Sequence, residues 1–372
     1  MKMLFGIKRL SEAVGGAERV LCMVCSELQA RGHDVTIVTF DRAGGQPFYS
    51  LDPRVKRVEL AIGDSSRSST FVEILRRMWV LRKLVATEKP QIAIGFMHSM
   101  FVPMTLALLG TQIPVLGSEH IVPQHYRTRP LQYAMVMVAA QFAVGITVLS
   151  DSIRRLYPAM IRNKMIPMPD PLAFPKVVLR PTEKTKRRLL LNVGRLYPQK
   201  DHAVLLRAFA RIAPEYPDWD LKIVGEGPLR SILEDLIRNL NLEDRVFMPG
   251  IVSDLSEIYQ DADLFVTSSR YESFGLVTAE AMQFGLPTVG FADCPGTNEL
   301  IEHGKTGFLA AAENDRATVL ATTLKRLMSD SSLRRKFGQA GKAALGRNYS
   351  IQRVCDRWEA LCAECVAQPA PS

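Results

Sequence analysis

An α/β protein made of two doubly wound, Rossmann-like domains facing a central cleft is what the sequence predicts. Three observations predict it. Short apolar runs alternate with helix-length amphipathic stretches along nearly the whole chain. That alternation produces parallel sheets covered by helices on both faces. It comes in two series, separated by Pro167, Pro169, Pro171, Pro175 and Pro181 and the basic run Lys184-Thr-Lys-Arg-Arg188, a linker-like composition. Finally, 372 residues are more than one hydrophobic core usually covers.

The first series of strands is expected at 3–7, 35–39, 55–60, 91–95, 115–118 and 145–150. The second is expected at 189–193, 221–224, 245–248, 264–267, 288–290 and 307–310. The domains are then 1–165, a linker over 166–187, and a second domain over 188–349. The last helix, 350–367, is expected to complete the first domain. Active sites of open α/β sheets lie outside the carboxyl ends of the strands, so the site belongs in the cleft.

Hydrophobic residues make up 47% and charged residues 23%, which excludes disorder, a coiled coil or a collagen-like fibre as the main character. The unusual feature is the charge: 47 Lys+Arg against 38 Asp+Glu, a net of +9. Residues 1–165 hold 21 Lys+Arg and 12 Asp+Glu, whereas 166–372 hold 26 of each. A basic balance suggests an anionic partner: nucleic acid, an acidic membrane or a phosphorylated substrate. Six cysteines are too few for a disulfide scaffold, and the CxxC pairs Cys22/Cys25 and Cys362/Cys365 lie in helix-like stretches. They read as buried free thiols. The N-terminal residues are too charged for a signal-peptide core. Pro130–Ser150 carries no charge over 21 residues. Its Gln132, Gln141 and β-rich end read as a buried helix followed by a buried strand. The expected compartment is a reducing cytoplasm.

Five stretches can carry chemistry. Gly15-Gly16-Ala-Glu-Arg19 opens a helix after the first strand, where backbone N–H groups can approach an anion or the loop is simply flexible. Asn192–Asp201 places Arg195 and Lys200 on the loop after a strand, as a clamp for a diphosphate or as two solvated cations. Val224-Gly-Glu-Gly-Pro228 reads as a helix-entry turn, with Pro228 at the first helical position. Glu272 and Glu280 would stand ~80° apart on a single helix and share no face. Gly275 instead starts the helix near 275–277, leaving Glu272 on the loop and Glu280 in the second turn. His120 follows the strand Val115–Ser118, with Arg127 and Arg129 nearby.

In this order the motifs resemble the retaining glycosyltransferases of family 4, group 1, which have the GT-B fold, over nearly the full length. The matching pieces are Gly15–Arg19, Arg31-Gly-His-Asp-Val35, Val193-Gly-Arg-Leu196 with Gln199-Lys200, Ile223–Pro228 and Ala262–Val266. Glu272-x7-Glu280, Phe284–Val289, Asn298–Glu302 and Gly304–Gly307 follow. The resemblance implies roles. Arg195 and Lys200 hold the donor diphosphate, and Glu280 binds the ribose. Glu272, with backbone groups of Phe274, Gly275 and Leu276, holds the sugar and β-phosphate. Gly16, with Gly15, approaches the phosphates. Val252 and its neighbours line the base, His120 sits beside the anomeric carbon, and His98 and Arg127 lie on the acceptor side.

The implied reaction moves a hexose or N-acetylhexosamine from a nucleotide sugar, UDP-linked before GDP-linked, to a glycan hydroxyl. Loss of the diphosphate through an oxocarbenium-like state suits two cations and a helix end. The resemblance implies no metal and no cofactor. Met168-Pro-Asp-Pro171 departs from the Asn-Pro common at this place. Phe291–Gly296 resembles the branch building bacterial surface polysaccharides on polyprenyl-diphosphate carriers. A sugar-nucleotide epimerase on the same architecture, and a basic nucleic-acid-binding module, are the competing readings; no nucleic-acid motif is present.

Residues 67–86 carry Phe71, Ile74, Leu75, Met78 and Val85 at helical spacing, with Arg76, Arg77, Arg82 and Lys83 alongside. Such a helix either packs its stripe on the sheet with a solvated basic face or lies on an anionic membrane.

Overall fold

A computed structural model describes residues 1–11, 16–63, 70–172, 187–252, 254–311 and 315–367. The chain divides into two compact units, Met1–Pro171 with Ile351–Ser372, and Leu172–Ser350.

The first unit is built from β1 (Lys2–Gly6), α1 (Gly16–Ala30), β2 (Asp34–Thr39), β3 (Lys56–Glu59), α2 (Phe71–Glu88), β4 (Ile92–Phe96) and α3 (His98–Ala107). It continues with β5 (Val115–Glu119), a 3-10 turn at Pro123–Thr128, α4 (Pro130–Phe142), β6 (Gly145–Val148), α5 (Asp151–Leu156), α6 (Ala159–Arg162) and β7 (Met165–Pro167). The strands form one seven-stranded sheet in the order β3-β2-β1-β4-β5-β6-β7. The paired strands are all parallel. The order reverses between β1 and β4, which makes that crevice the topological switch point. Apolar residues cover the central strands on both sides, as in β4, where every residue is buried. β7 lies in the stretch expected as linker, so the first unit runs to Pro171 rather than to 165.

The helix expected over 67–86 is α2. A capping box starts it: the Thr70 hydroxyl accepts from Glu73 N, and the Glu73 carboxylate accepts from Thr70 N. Leu81 and Val85 reach the core. The anticipated basic face is corrected at Arg77, which is buried. Its guanidinium donates to Ile62 O at 2.9 Å and lies 4.3 Å from the Phe40 ring centre. Conversely, Val72, Leu75 and Trp79 are exposed, although Leu75 belongs to the expected core stripe. The helix expected to be buried after Pro130, α4, buries Val136, Ala139 and Ala140 but exposes Leu131 and Val138. Among the described residues no helix is long and apolar enough to cross a membrane.

The second unit contains β8 (Arg188–Val193), α7 (His202–Ile212), β9 (Trp219–Val224), α8 (Arg230–Asn239), β10 (Val246–Gly250), α9 (Ser256–Asp261) and β11 (Leu264–Val266). It ends with α10 (Leu276–Gln283), β12 (Thr288–Phe291), α11 (Thr297–Leu300), β13 (Gly307–Ala310), α12 (Arg316–Met328) and α13 (Ser331–Asn348). Its parallel sheet has the order β10-β9-β8-β11-β12-β13, with the reversal between β8 and β11. Pro228 stands in the turn before α8 rather than at its first helical position.

The last helix, α14 (Ile351–Ala367), belongs to the first unit. Val354, Cys355, Trp358 and Cys362 bury against Cys22 and Cys25 of α1. Arg31 fastens it, donating to Asp356 at 2.7 Å and Glu359 at 2.8 Å. All six cysteines are free and buried, and burial pushes the Cys355 thiol up to about 12. Because α14 brings acids with it, the charge by units differs from the charge by halves. The first unit holds 23 Lys+Arg against 16 Asp+Glu, net +7, and the second 24 against 22, net +2.

Candidate active site

In the second unit the site grows from the two loops that flank the β8/β11 switch point. The loop after β8 turns at Gly194 and carries Arg195 to Lys200. Its backbone is pinned to the turn after β9, with Leu196 N donating to Glu226 O at 2.9 Å and Leu229 N donating to Leu196 O at 3.2 Å. The approach is so close that a Cβ on Gly225 would stand 2.1 Å from Gly194 O. Gly-x-Gly after β9 therefore serves backbone packing under the Arg195–Lys200 loop.

The same loop is tied to the segment after β11. Gln199 donates to Tyr271 O at 2.8 Å, Ser268 donates to Lys200 O at 2.8 Å, and Arg270 pairs with Asp201 at 2.8 Å. These bonds bring Lys200 and Glu272 together. The Lys200 ammonium lies 2.6 Å from Glu272 Oε1, which also accepts from Ser269 Oγ at 2.6 Å. Both charged side chains are about seven-eighths buried, at 15% and 12% exposure, so this is an ion pair with little solvent screening. Gly275, at φ 89°, starts α10 three residues after Glu272 without a side-chain cap, and in the first turn Thr278 N donates to Gly275 O at 2.9 Å. Gly296, at φ 78°, backs the Glu272–Phe274 loop: a Cβ there would meet Glu272 O and Phe274 N at 3.0 Å.

Glu280 sits on α10, half-buried, and accepts from Tyr259 Oη at 3.2 Å. Phe274 is buried and meets Tyr349 edge-on. Val252 packs against the core after β10, next to Ile251, which is 80% exposed. Arg195 is exposed, with its guanidinium 5.2 Å from the Tyr197 ring centre. The structure thus brings Lys200, Glu272, Gly275 and Leu276 onto one edge. Ser269, Tyr259 and Gly296 were not singled out in the sequence, because their importance lies in partners 3 to 24 residues away.

In the first unit, Gly16 begins α1; Gly15 lies outside the described residues. His120 is 9% exposed and stacks on Phe96 with ring centres 5.0 Å apart. Its Nε2 lies 3.0 Å from Ser118 Oγ, which receives a bond from Thr147 at 2.9 Å. Its Nδ1 faces Asp170 Oδ1 at 3.4 Å, an ion-pair distance without hydrogen-bond geometry. Asp170 is the residue at which the linker departs from Asn-Pro. His98 begins α3, and burial pushes it down to about 4. Arg127 stands exposed on the 3-10 turn. Beneath them Glu119 is buried and accepts from Tyr126 Oη at 2.9 Å; burial pushes its carboxyl up to about 7.

The chain is similar to known proteins. The sequence model described as "Glycosyl transferases group 1" matches residues 179–344, and that described as "Glycosyltransferase Family 4" matches residues 14–164. The chain belongs to the family 4, group 1 glycosyltransferases. It is an enzyme of the hexosyltransferase type with the α/β GT-B fold. An uncharacterized glycosyltransferase of Haemophilus influenzae is 27% identical over 97% of this chain and 99% of its own length. A sucrose-phosphate synthase structure from Thermosynechococcus elongatus superposes with a TM-score of 0.82 at 20% identity, over 98% and 99% of the two chains. Anabaena Alr3699/HepE in complex with UDP and glucose superposes at 0.76 with 19% identity, over 98% and 100%. The glycosyltransferase has its charged pair at the β8/β11 switch point, where open α/β sheets hold ligands.

Proposed function

We propose that this glycosyltransferase moves a hexose or N-acetylhexosamine, with retention, from a UDP-sugar to a hydroxyl of a glycan carried on a polyprenyl diphosphate. The observation that carries the donor half is the Lys200–Glu272–Ser269 cluster at the open start of α10. A diphosphate there meets Lys200, Arg195 and the first-turn N–H groups, three sources of positive potential. Lys200 then leaves Glu272 for phosphate oxygen, and the released carboxylate accepts from sugar hydroxyls. Glu280, held by Tyr259, takes the ribose hydroxyls.

The bond from the anomeric carbon to the β-phosphate oxygen breaks as charge builds on the diphosphate. The fixed cations are worth most at that moment. The acceptor oxygen bonds to the anomeric carbon from the same face, and its proton passes to the departing diphosphate. His120 is assigned to the acceptor-side wall, with Phe96, Ser118 and Asp170 fixing its ring. No metal is assigned a step.

The partner surface we propose is the anionic inner face of the cell membrane. Val72, Leu75 and Trp79 are exposed on α2 beside exposed Arg76 and Lys83, and Lys83 covers the Trp79 ring at 3.6 Å. Apolar side chains and cations together suit a phospholipid surface. The complex of Alr3699/HepE with UDP supports a UDP donor over a GDP donor.

A thermal-shift screen of UDP-, GDP- and ADP-sugars tests the donor, with stabilisation by a UDP-sugar expected. Stabilisation by GDP-sugars alone would replace the base, and by none would sink the donor assignment. Retention is read from the anomeric configuration of the product, and an inverted product contradicts it. Full transfer in excess EDTA is expected, and loss of transfer would require a metal.

A further inference from the structure

Asp170 is buried at 4% exposure, three residues beyond the end of β7. A carboxylate is almost never buried this far without a partner. Among the described residues that partner is His120, whose Nδ1 lies 3.4 Å from Asp170 Oδ1. His120 is buried as well, and its Nδ1 has no hydrogen-bond partner among the described residues. Glu18 and Glu119 also feel the charge of His120. Glu119, however, accepts from Tyr126 Oη and Ile121 N, and among the described residues no ion pair joins Glu18 to the ring. Asp170 is therefore the acid set against the imidazole.

The other ring nitrogen fixes where the proton sits. Thr147 Oγ1 donates to Ser118 Oγ at 2.9 Å. Ser118 keeps one hydroxyl proton of its own, and His120 Nε2 lies 3.0 Å away to accept it. A neutral imidazole that accepts at Nε2 carries its proton on Nδ1, the atom facing the carboxylate. The opposite tautomer would turn the Nδ1 lone pair toward a carboxylate oxygen, which can only accept. It would also give Ser118 a second incoming proton and no use for its own. Both edges of the ring thus select the same tautomer.

The ring face is held too. His120 stacks on Phe96 with centres 5.0 Å apart, and Phe96 stacks on Trp358 of α14 at 5.9 Å. Side chains from β4, β5, β6 and the segment after β7 thereby clamp one imidazole at the carboxyl end of β5. The order Asp170–His120–Ser118 is that of a hydrolase triad. Ser118 is 1% exposed and already accepts from Thr147, so it is placed to orient the ring and not to attack a substrate.

We propose that Asp170 is a positioning residue, which with Ser118 fixes His120 as the Nδ1–H tautomer and keeps the ring from turning in the wall of the sugar site. A ring oriented in advance needs no reorganisation as the transition state forms. Only the step from a fixed His120 to transfer rests on the donor reading above; the tautomer does not depend on it.

The test is a proton–nitrogen correlation spectrum at pH 8.5 of the full chain labelled with nitrogen-15 in its histidine rings. The chain has six histidines, and His120→Gln identifies the His120 signal by its loss. Wild type should show a protonated Nδ1 and an unprotonated Nε2. Asp170→Asn keeps an acceptor oxygen and should keep that pattern. Asp170→Leu offers no acceptor and should give averaged shifts of the two tautomers. Turnover is read as UDP released from UDP-glucose by water. It should fall at least tenfold in Asp170→Leu with KM within twofold of wild type, and Asp170→Asn should recover most of it. Should Asp170→Leu fold poorly, Asp170→Ala takes its place, and the wild-type spectrum needs no variant of Asp170. An Nε2–H or doubly protonated ring in wild type, an unchanged ring in the variant without an acceptor, or full turnover there overturns the proposal. No UDP released by wild type, with the tautomer change still seen, would count against the UDP-sugar reading and leave the positioning of His120 standing.

Discussion

The two switch points of the chain solve the same problem in opposite ways. At β8/β11 the cation Lys200 is already matched by Glu272, and the loops around it are stitched by backbone and side-chain bonds. At β1/β4 the imidazoles of His98 and His125 meet the Tyr126 ring edge-on, and the Arg129 guanidinium lies 2.8 Å from the neutral His125 Nε2. A matched pair is a preorganised site that stays folded when empty, and it exchanges partners when a ligand arrives. The net charges of the two units are +7 and +2.

Breaking the matched pair should give the largest effect. Glu272→Gln and Lys200→Met are each expected to lower transfer by about 10³-fold, the scale for losing a principal electrostatic contact. Circular dichroism should report an intact fold for both. Full turnover in either would remove that residue from the mechanism.

Next comes Glu119, the buried acid that accepts from Tyr126. Folded Glu119 holds its proton up to about 7 against an ordinary 4.5. Between those values the unfolded chain releases that proton while the folded one keeps it, so stability falls as pH rises. Below about 4.5 the carboxyl is protonated in both states and the contribution is fully present. The shift corresponds to about 3 kcal/mol. Glu119→Gln should remove that slope in denaturant titrations between pH 4.5 and about 7, and an unchanged slope would contradict the assignment.

Gly296→Ala should cost about 1–3 kcal/mol, because φ 78° is strained for alanine and its Cβ meets the Glu272 loop. Turnover should fall more than UDP affinity, since the role proposed for the loop is to hold the sugar end. The smallest contrast lies on α2. Arg77→Ala should destabilise by about 2 kcal/mol through its lost bonds to Ile62 O, while exposed Arg76→Ala should change stability by under about 0.5 kcal/mol. Binding to anionic liposomes should show the reverse order.

Much of this was legible in the sequence, for reasons that differ by element. Central strands such as Ile92–Phe96 are continuous apolar runs and read directly. β7 did not, because Met165–Pro167 is three residues long and sits among prolines. Gly275 placed the start of α10 correctly, since a left-handed residue before a helix calls for glycine. Arg77 misled because charge on a helix suggests solvent, whereas its guanidinium finds Ile62 O and Phe40, residues of another segment. For the same reason Ser269 and Tyr259 were invisible: a serine or tyrosine becomes informative only when the fold sets it against Glu272 or Glu280. The Lys200–Glu272 pair itself spans 72 residues of sequence.

The central claim is that the second unit grips the donor through that pair. Titrating UDP and a UDP-sugar into wild type, Lys200→Met and Glu272→Gln tests it most directly. The account predicts at least tenfold weaker UDP binding in Lys200→Met. It also predicts that Glu272→Gln keeps UDP affinity but loses the extra affinity contributed by the sugar. Unchanged UDP affinity in Lys200→Met would contradict it.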